Sequence, residues 1–125
     1  MKLIAVLIVV LTGFFIQGCA TKVSTADRYT PLTVKQGNSL RDAIFAAANR
    51  RRWIAADNGP GVVRCTLMPR GHRVVVDVYY NDKGITIRYV ESENMSYDPS
   101  DKEISRKYEQ WVKNLQVDIF RFSQK

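Results

Sequence analysis

The feature that most constrains the fold is an alternation of apolar and polar residues between Trp53 and Val90. A period of two places successive side chains on opposite faces of a β-strand. Residues that favour turns interrupt this segment at 58–61, 69–71 and 81–84. The pattern therefore predicts four strands, at residues 53–57, 62–68, 72–80 and 85–90.

The same alternation predicts which side chains face the core. Hairpin loops of two or four residues keep three apolar sets on one side of an antiparallel meander. The sets are Val63, Cys65 and Leu67, then Val74, Val76, Val78 and Tyr80, then Ile85, Ile87 and Tyr89. The orientation of Trp53 stays open, because a bulge before Val62 would turn it inward.

One amphipathic helix is predicted before the strands in the sequence and another after them. Ser39 is a candidate N-cap for a helix that ends near Arg51 and carries a stripe rich in alanine. Ser100 and Glu103 have the spacing of a capping box before a second helix. Its stripe contains Ile104, Tyr108, Trp111, Val112, Leu115, Ile119 and Phe122. The predicted fold is α+β: a helix, a four-stranded antiparallel meander and a C-terminal helix, with both helices on one sheet face.

The chain begins with a pattern typical of a bacterial lipoprotein leader. A basic residue, Lys2, precedes an uncharged apolar run that ends at Gly18-Cys19. The thiol of Cys19 would carry a diacylglyceryl group and its amine, freed by cleavage before Cys19, would be acylated; several acyl chains anchor a protein stably. An uncleaved membrane anchor is an alternative, because 3–21 carries no charge and approaches the roughly 20 residues of a spanning helix. A third interpretation is a secreted protein whose leader is cleaved without lipidation.

The leader divides the chain into three predicted parts. These are a signal peptide at 1–18, the lipidated cysteine with a flexible tether at 19–37, and one domain at 38–125. Removing the signal peptide leaves 107 of 125 residues, the size of a single domain. With Cys19 lipidated, Cys65 has no partner for an internal disulfide.

The charge of the chain predicts anionic neighbours. The formal net charge of +7 falls to about +6 without Lys2. In a cell envelope the matching partners are phospholipid headgroups, lipopolysaccharide phosphates or acidic wall polymers. Nucleic acid is not expected, because an exported chain seldom meets it.

Short motifs spread over residues 40–115 support a resemblance. They are Ala43-Ile44, Trp53-Ile54, Pro60-Gly61, Arg70-Gly71-His72, Ile87-Arg88-Tyr89, Ser92, Asn94, Tyr97, Tyr108, Trp111 and Asn114-Leu115. Together they resemble a group of small, largely uncharacterised bacterial outer-membrane lipoproteins. Arg52 and Glu109 depart from it, since the resemblance leads us to expect Gly and Asn there.

The resemblance implies a fold and a location but no established activity. Ala20 after the lipid cysteine resembles the arrangement that permits sorting to the outer membrane of Gram-negative bacteria. The expected location is therefore the periplasmic face of that membrane.

Two basic surfaces are candidate interaction sites. The outward positions of the strands form a mixed, net-positive face on which arginine and tyrosine are typical interface anchors. Its candidate partner-binding residues are Arg64, Arg73, Asp77, Tyr79 and Arg88. Arg50, Arg51 and Arg52 end the first helix and are candidates for contact with anionic lipid or polymer. Ordinary solvent exposure is the alternative for both surfaces.

No catalytic residue, metal ligand or cofactor site is predicted. Cys65 and His72 are the only candidates for a thiol nucleophile with its base, but the alternation places Cys65 in the core. A single histidine and an inward cysteine do not complete a tetrahedral metal site. The expected function is a non-catalytic interaction domain, with binding of an anionic envelope polymer or lipid as the alternative.

Overall fold

The computed structural model describes residues 22–125 of the chain. Seven strands and two helices follow one another in this part. They are β1 (Lys22–Ser24), β2 (Arg28–Pro31), α1 (Leu40–Arg50), β3 (Ile54–Asp57), β4 (Val62–Leu67), β5 (Arg73–Asn81), β6 (Gly84–Glu93), β7 (Glu103–Ser105) and α2 (Arg106–Ser123). The α+β class is confirmed.

The main sheet is an antiparallel meander with one added strand. Its order is β2-β6-β5-β4-β3, so the predicted four strands pair as consecutive hairpins. The inward positions match the alternation, because Val63, Val76 and Ile87 are all buried. They share one core with the apolar stripes of α1 and α2, whereas Arg64 and Arg88 lie on the opposite, outer face.

The prediction of a flexible tether at 19–37 is wrong for its described part. β1 pairs with β7 in a two-stranded sheet, and β2 pairs with β6 as the fifth strand of the main sheet. Two side chains of β2 reach the inner face, where Arg28 contacts Glu109 and Thr30 accepts a hydrogen bond from Gln116 of α2. The segment is too polar to carry a strand pattern, and these distant contacts order it.

The end of α1 determines the orientation of Trp53. The N–H of Trp53 donates to the carbonyl of Ala48 at 2.8 Å, and that of Arg52 donates to Asn49 at 3.2 Å. These bonds form a Schellman motif, which requires a left-handed residue after the helix. Arg52 takes that conformation with φ of 66°. The chain reverses there, and Trp53 turns into the core.

Helix α2 begins later than its predicted capping box. Ser105, not Ser100, is the N-cap, and its side chain accepts from the N–H of Lys107. Residues 103–105 instead form β7 opposite β1, so pairing with a distant strand replaces the first helical turn. Ile104 is still buried, as the apolar stripe predicts. Within residues 22–125 neither helix is long and apolar enough to cross a membrane.

Candidate functional site

The outer sheet face brings together all five residues predicted for partner binding, and its arginines are ion-paired. Arg64 donates two hydrogen bonds to Asp77, both at 2.9 Å. Arg88 forms a similar fork with Asp27, with its shortest bond at 2.9 Å, and lies over the ring of Tyr79. The hydrogen bonds that each arginine donates to its aspartate raise the pKa of that arginine, because a carboxylate partner favours the charged guanidinium.

A bulge changes the charge of this face. The register shifts between Val75 and Val76, so that Glu91 lies opposite Val75 and Glu93 lies opposite Arg73. Both glutamates therefore face outward, within 3.4 Å of the Arg73 guanidinium. The uninterrupted alternation would have turned them inward. The prediction of a net-positive face is wrong, because four carboxylates (Asp27, Asp77, Glu91 and Glu93) accompany its three arginines.

The basic end of α1 divides into two parts with different roles. Arg51 donates from Nε to Asp118 of α2 at 2.6 Å, and Nε of Arg50 lies 3.5 Å from the same carboxylate. Asp118 is fully buried, so both arginines neutralise an internal charge. Arg52 forms no ion pair with any residue in the range 22–125 and faces a groove instead.

This groove lies where α1, α2 and the β4–β5 turn meet. Its volume is about 540 Å³, which falls in the range of small-molecule sites. The lining combines arginines with aromatic and apolar side chains, among them Arg52, Trp53, Met68, Pro69, Arg70 and Trp111. We call it the Arg52 groove.

Two of its arginines have unusual backbone conformations. Arg52 and Arg70 have φ of 66° and 34°, in the region that favours glycine. A side chain in this conformation costs about 1 kcal/mol relative to glycine. Arg70, like Arg52, has no ion-pair partner in the described part of the chain. Sequence reasoning passed over Arg70 as a turn residue, although it stands in the Arg70-Gly71-His72 motif.

His72 packs beside Trp111, one of the residues that line the groove. Its Nδ1 donates to the carbonyl of Asn94 at 2.7 Å, and its ring lies 6.0 Å from that of Trp111. Cys65 pairs with Val76, four residues along β5 from His72, which corresponds to about 13 Å. The structure therefore does not bring Cys65 and His72 together as a catalytic pair.

Cys65 is expected to be inert in the folded protein. Burial raises the pKa of its thiol from 9.0 to about 12, so almost no thiolate forms at pH 8. A thiol reagent at pH 8 should label Cys65 only after unfolding in urea. Rapid labelling of the native chain would contradict this burial.

The raised pKa of Cys65 also makes the stability of the fold depend on pH. The thiol supports the fold below about pH 9, and this contribution is lost as the pH rises from 9 towards 12.

Two other predictions concern metal and lipid. Among residues 22–125, no three His, Cys, Asp or Glu side chains are grouped so that they could hold a metal ion. Cys19, the predicted lipidation site, lies outside the described residues.

Comparison of the chain with protein-family models, curated proteins and solved structures found no match. The resemblance to outer-membrane lipoproteins therefore stays a prediction. The geometry of the Arg52 groove and the outer face is the basis for a functional proposal.

Proposed function

We propose that this chain is a lipid-anchored protein of the cell envelope whose folded domain binds an anionic envelope component without catalysing a reaction. The observation that carries the proposal is the Arg52 groove, where Arg52 and Arg70 stand beside aromatic side chains and lack carboxylate partners among residues 22–125. Unpaired arginines at a concave surface are suited to an anionic ligand, whereas paired ones are already neutralised. The basic character of the chain adds a long-range attraction for such a ligand.

The alternative keeps the outer face as a docking surface for an envelope protein. Tyr29 is exposed on this face in the row that contains Thr86 and Tyr79, and tyrosine is a frequent interface anchor. Arg64, Arg73 and Arg88 would then serve as an ion-paired rim. The two candidates differ in salt dependence, since binding at the Arg52 groove should weaken steeply with ionic strength.

The proposed anchor predicts a defined mass. Because Gly18-Cys19 closes an apolar leader, the protein extracted from membranes should lack residues 1–18 and carry acyl chains on Cys19. Intact-mass spectrometry measures both changes, and Cys19→Ala should abolish the added mass. An unprocessed wild-type chain would refute the lipid anchor.

The binding surface can be located by photo-crosslinking in cells. Met68 at the Arg52 groove and Tyr29 on the outer face are 59% and 58% exposed, so a photoreactive residue at either position has a matched control. We expect crosslinks to an envelope component from position 68, and a clear excess over position 29. An excess from position 29 would support the outer face, and no crosslink from either would contradict an interaction domain of this form.

A further inference from the structure

The free polar groups on the side chains of the Arg52 groove are hydrogen-bond donors. The guanidinium groups of Arg52 and Arg70 have no partner within residues 22–125. Asn114 has its amide nitrogen left for a ligand, because its Oδ1 accepts from Nε2 of Gln110 at 3.4 Å. Of the described residues, none that lines the groove carries a carboxylate side chain.

The aromatic side chains add further donors. Trp53 and Trp111 are the two tryptophans of the sequence, and both line the Arg52 groove. Neither indole N–H donates a hydrogen bond to another described residue. A lining of donors that no acceptor of the described residues occupies is complementary to a ligand rich in acceptors and negative charge.

We infer that the Arg52 groove binds a phosphate-bearing amphiphile, with the phosphate held by Arg52 and Arg70 and the apolar part packed against Trp111 and Met68. One guanidinium fork occupies both oxygens of a carboxylate, whereas a phosphate has oxygens for two forks. The apolar wall and the volume of the groove leave room for an attached body. This inference rests on the proposed function and names its ligand class.

The backbone of Arg52 supports this assignment. The Schellman motif places Arg52 where glycine is preferred, so the chain bears a conformational strain at this position. Strained residues are frequent at ligand sites, where the side chain has a use that outweighs its cost. Arg52→Gly is therefore a sharp test, because it removes the guanidinium and relieves the backbone at once.

The experiment uses the full chain in micelles of a nonionic detergent, with tryptophan fluorescence as the readout. Titration with dihexanoyl phosphatidic acid should give a saturable change. Arg52→Gly and Arg70→Gln should each weaken binding about 10- to 100-fold, as expected for a lost charge-assisted hydrogen bond. Lys113→Gln, which removes an exposed charge from α2, should change affinity less than about twofold. Arg52→Gly should also unfold at a higher urea concentration than the wild type.

Three comparison ligands separate the chemistry. Dihexanoylglycerol lacks the phosphate, inorganic phosphate lacks the apolar body, and decanoate replaces phosphate with a carboxylate. All three should bind at least about tenfold more weakly than phosphatidic acid. Equal binding by any one of them would overturn the ligand class.

Two further outcomes would overturn the inference. One is equal affinity of wild type, Arg52→Gly and Arg70→Gln for phosphatidic acid. The other is no saturable binding. In either case, crosslinks from position 68 would still support the proposed function, with another anionic ligand. The absence of such crosslinks would contradict the proposed function as well as the inference.

Discussion

Arg51→Met is expected to lower the free energy of unfolding by about 3 kcal/mol, because it leaves the buried carboxylate of Asp118 without its closest partner. Nε of Arg51 lies 2.6 Å from this carboxylate. The expected loss is at the lower end of the range for a broken buried ion pair. The reason is that Arg50 and Arg121 remain near the Asp118 carboxylate, at 3.5 and 3.6 Å. Urea unfolding of the full chain, followed by circular dichroism, measures the change.

Two further variants make this test specific. Arg50→Met removes a longer and more exposed contact, and should cost less than about 1 kcal/mol. Arg51→Met combined with Asp118→Leu removes the buried charge together with its partner, and should recover most of the loss. If Arg51→Met and Arg50→Met lowered the free energy of unfolding equally, Arg51 would not be the main partner of Asp118.

Tyr108→Ala is expected to destabilise the domain by about 3 to 5 kcal/mol, the range for deleting a large buried aromatic side chain. Tyr108 is 1% exposed, and its ring packs edge-on against Tyr89 at 5.9 Å. Burial also raises the pKa of Tyr108 above its ordinary value of 10.0. Urea unfolding measures the loss.

The matched variants are Tyr108→Phe and Trp111→Ala. The Tyr108 hydroxyl forms no hydrogen bond with the described residues, so Tyr108→Phe should stay within about 1 kcal/mol of wild type. Trp111 is only partly buried at the Arg52 groove, and Trp111→Ala should cost less than Tyr108→Ala. If Tyr108→Phe were as damaging as Tyr108→Ala, the hydroxyl and not ring packing would be responsible.

The parts of the fold that could be predicted are those with a local periodic signal. The hairpins from Val62 to Tyr89 alternate at most positions, and Ser39 caps α1 as its position indicates. Strands β1 and β2 could not be predicted, because they are short and polar and are ordered by β7 and β6, more than fifty residues away. The same distant pairing explains why α2 begins at Arg106.

The candidate sites were harder to predict than the fold, because they are formed by contacts between residues that are distant in the sequence. The alternation placed Arg64 and Arg88 correctly on the outer face, but it gave no sign of their partners or of the bulge that turns Glu91 outward. The buried Asp118 was missed, because it falls within the polar spacing of α2 and meets Arg51 only after folding. A detectable signal did exist for Arg52, whose place between a helix and a tryptophan suits glycine.

If Cys19 carries lipid as proposed, the pairing of β1 determines how far the domain could move from that residue. Ala20 and Thr21 alone separate Cys19 from Lys22 at the start of β1, so the connection spans at most about 11 Å. An anchored domain on so short a connection would diffuse laterally with its lipid and search in two dimensions. Its encounters would be with molecules of the same leaflet, at a local concentration that a long, flexible connection would dilute.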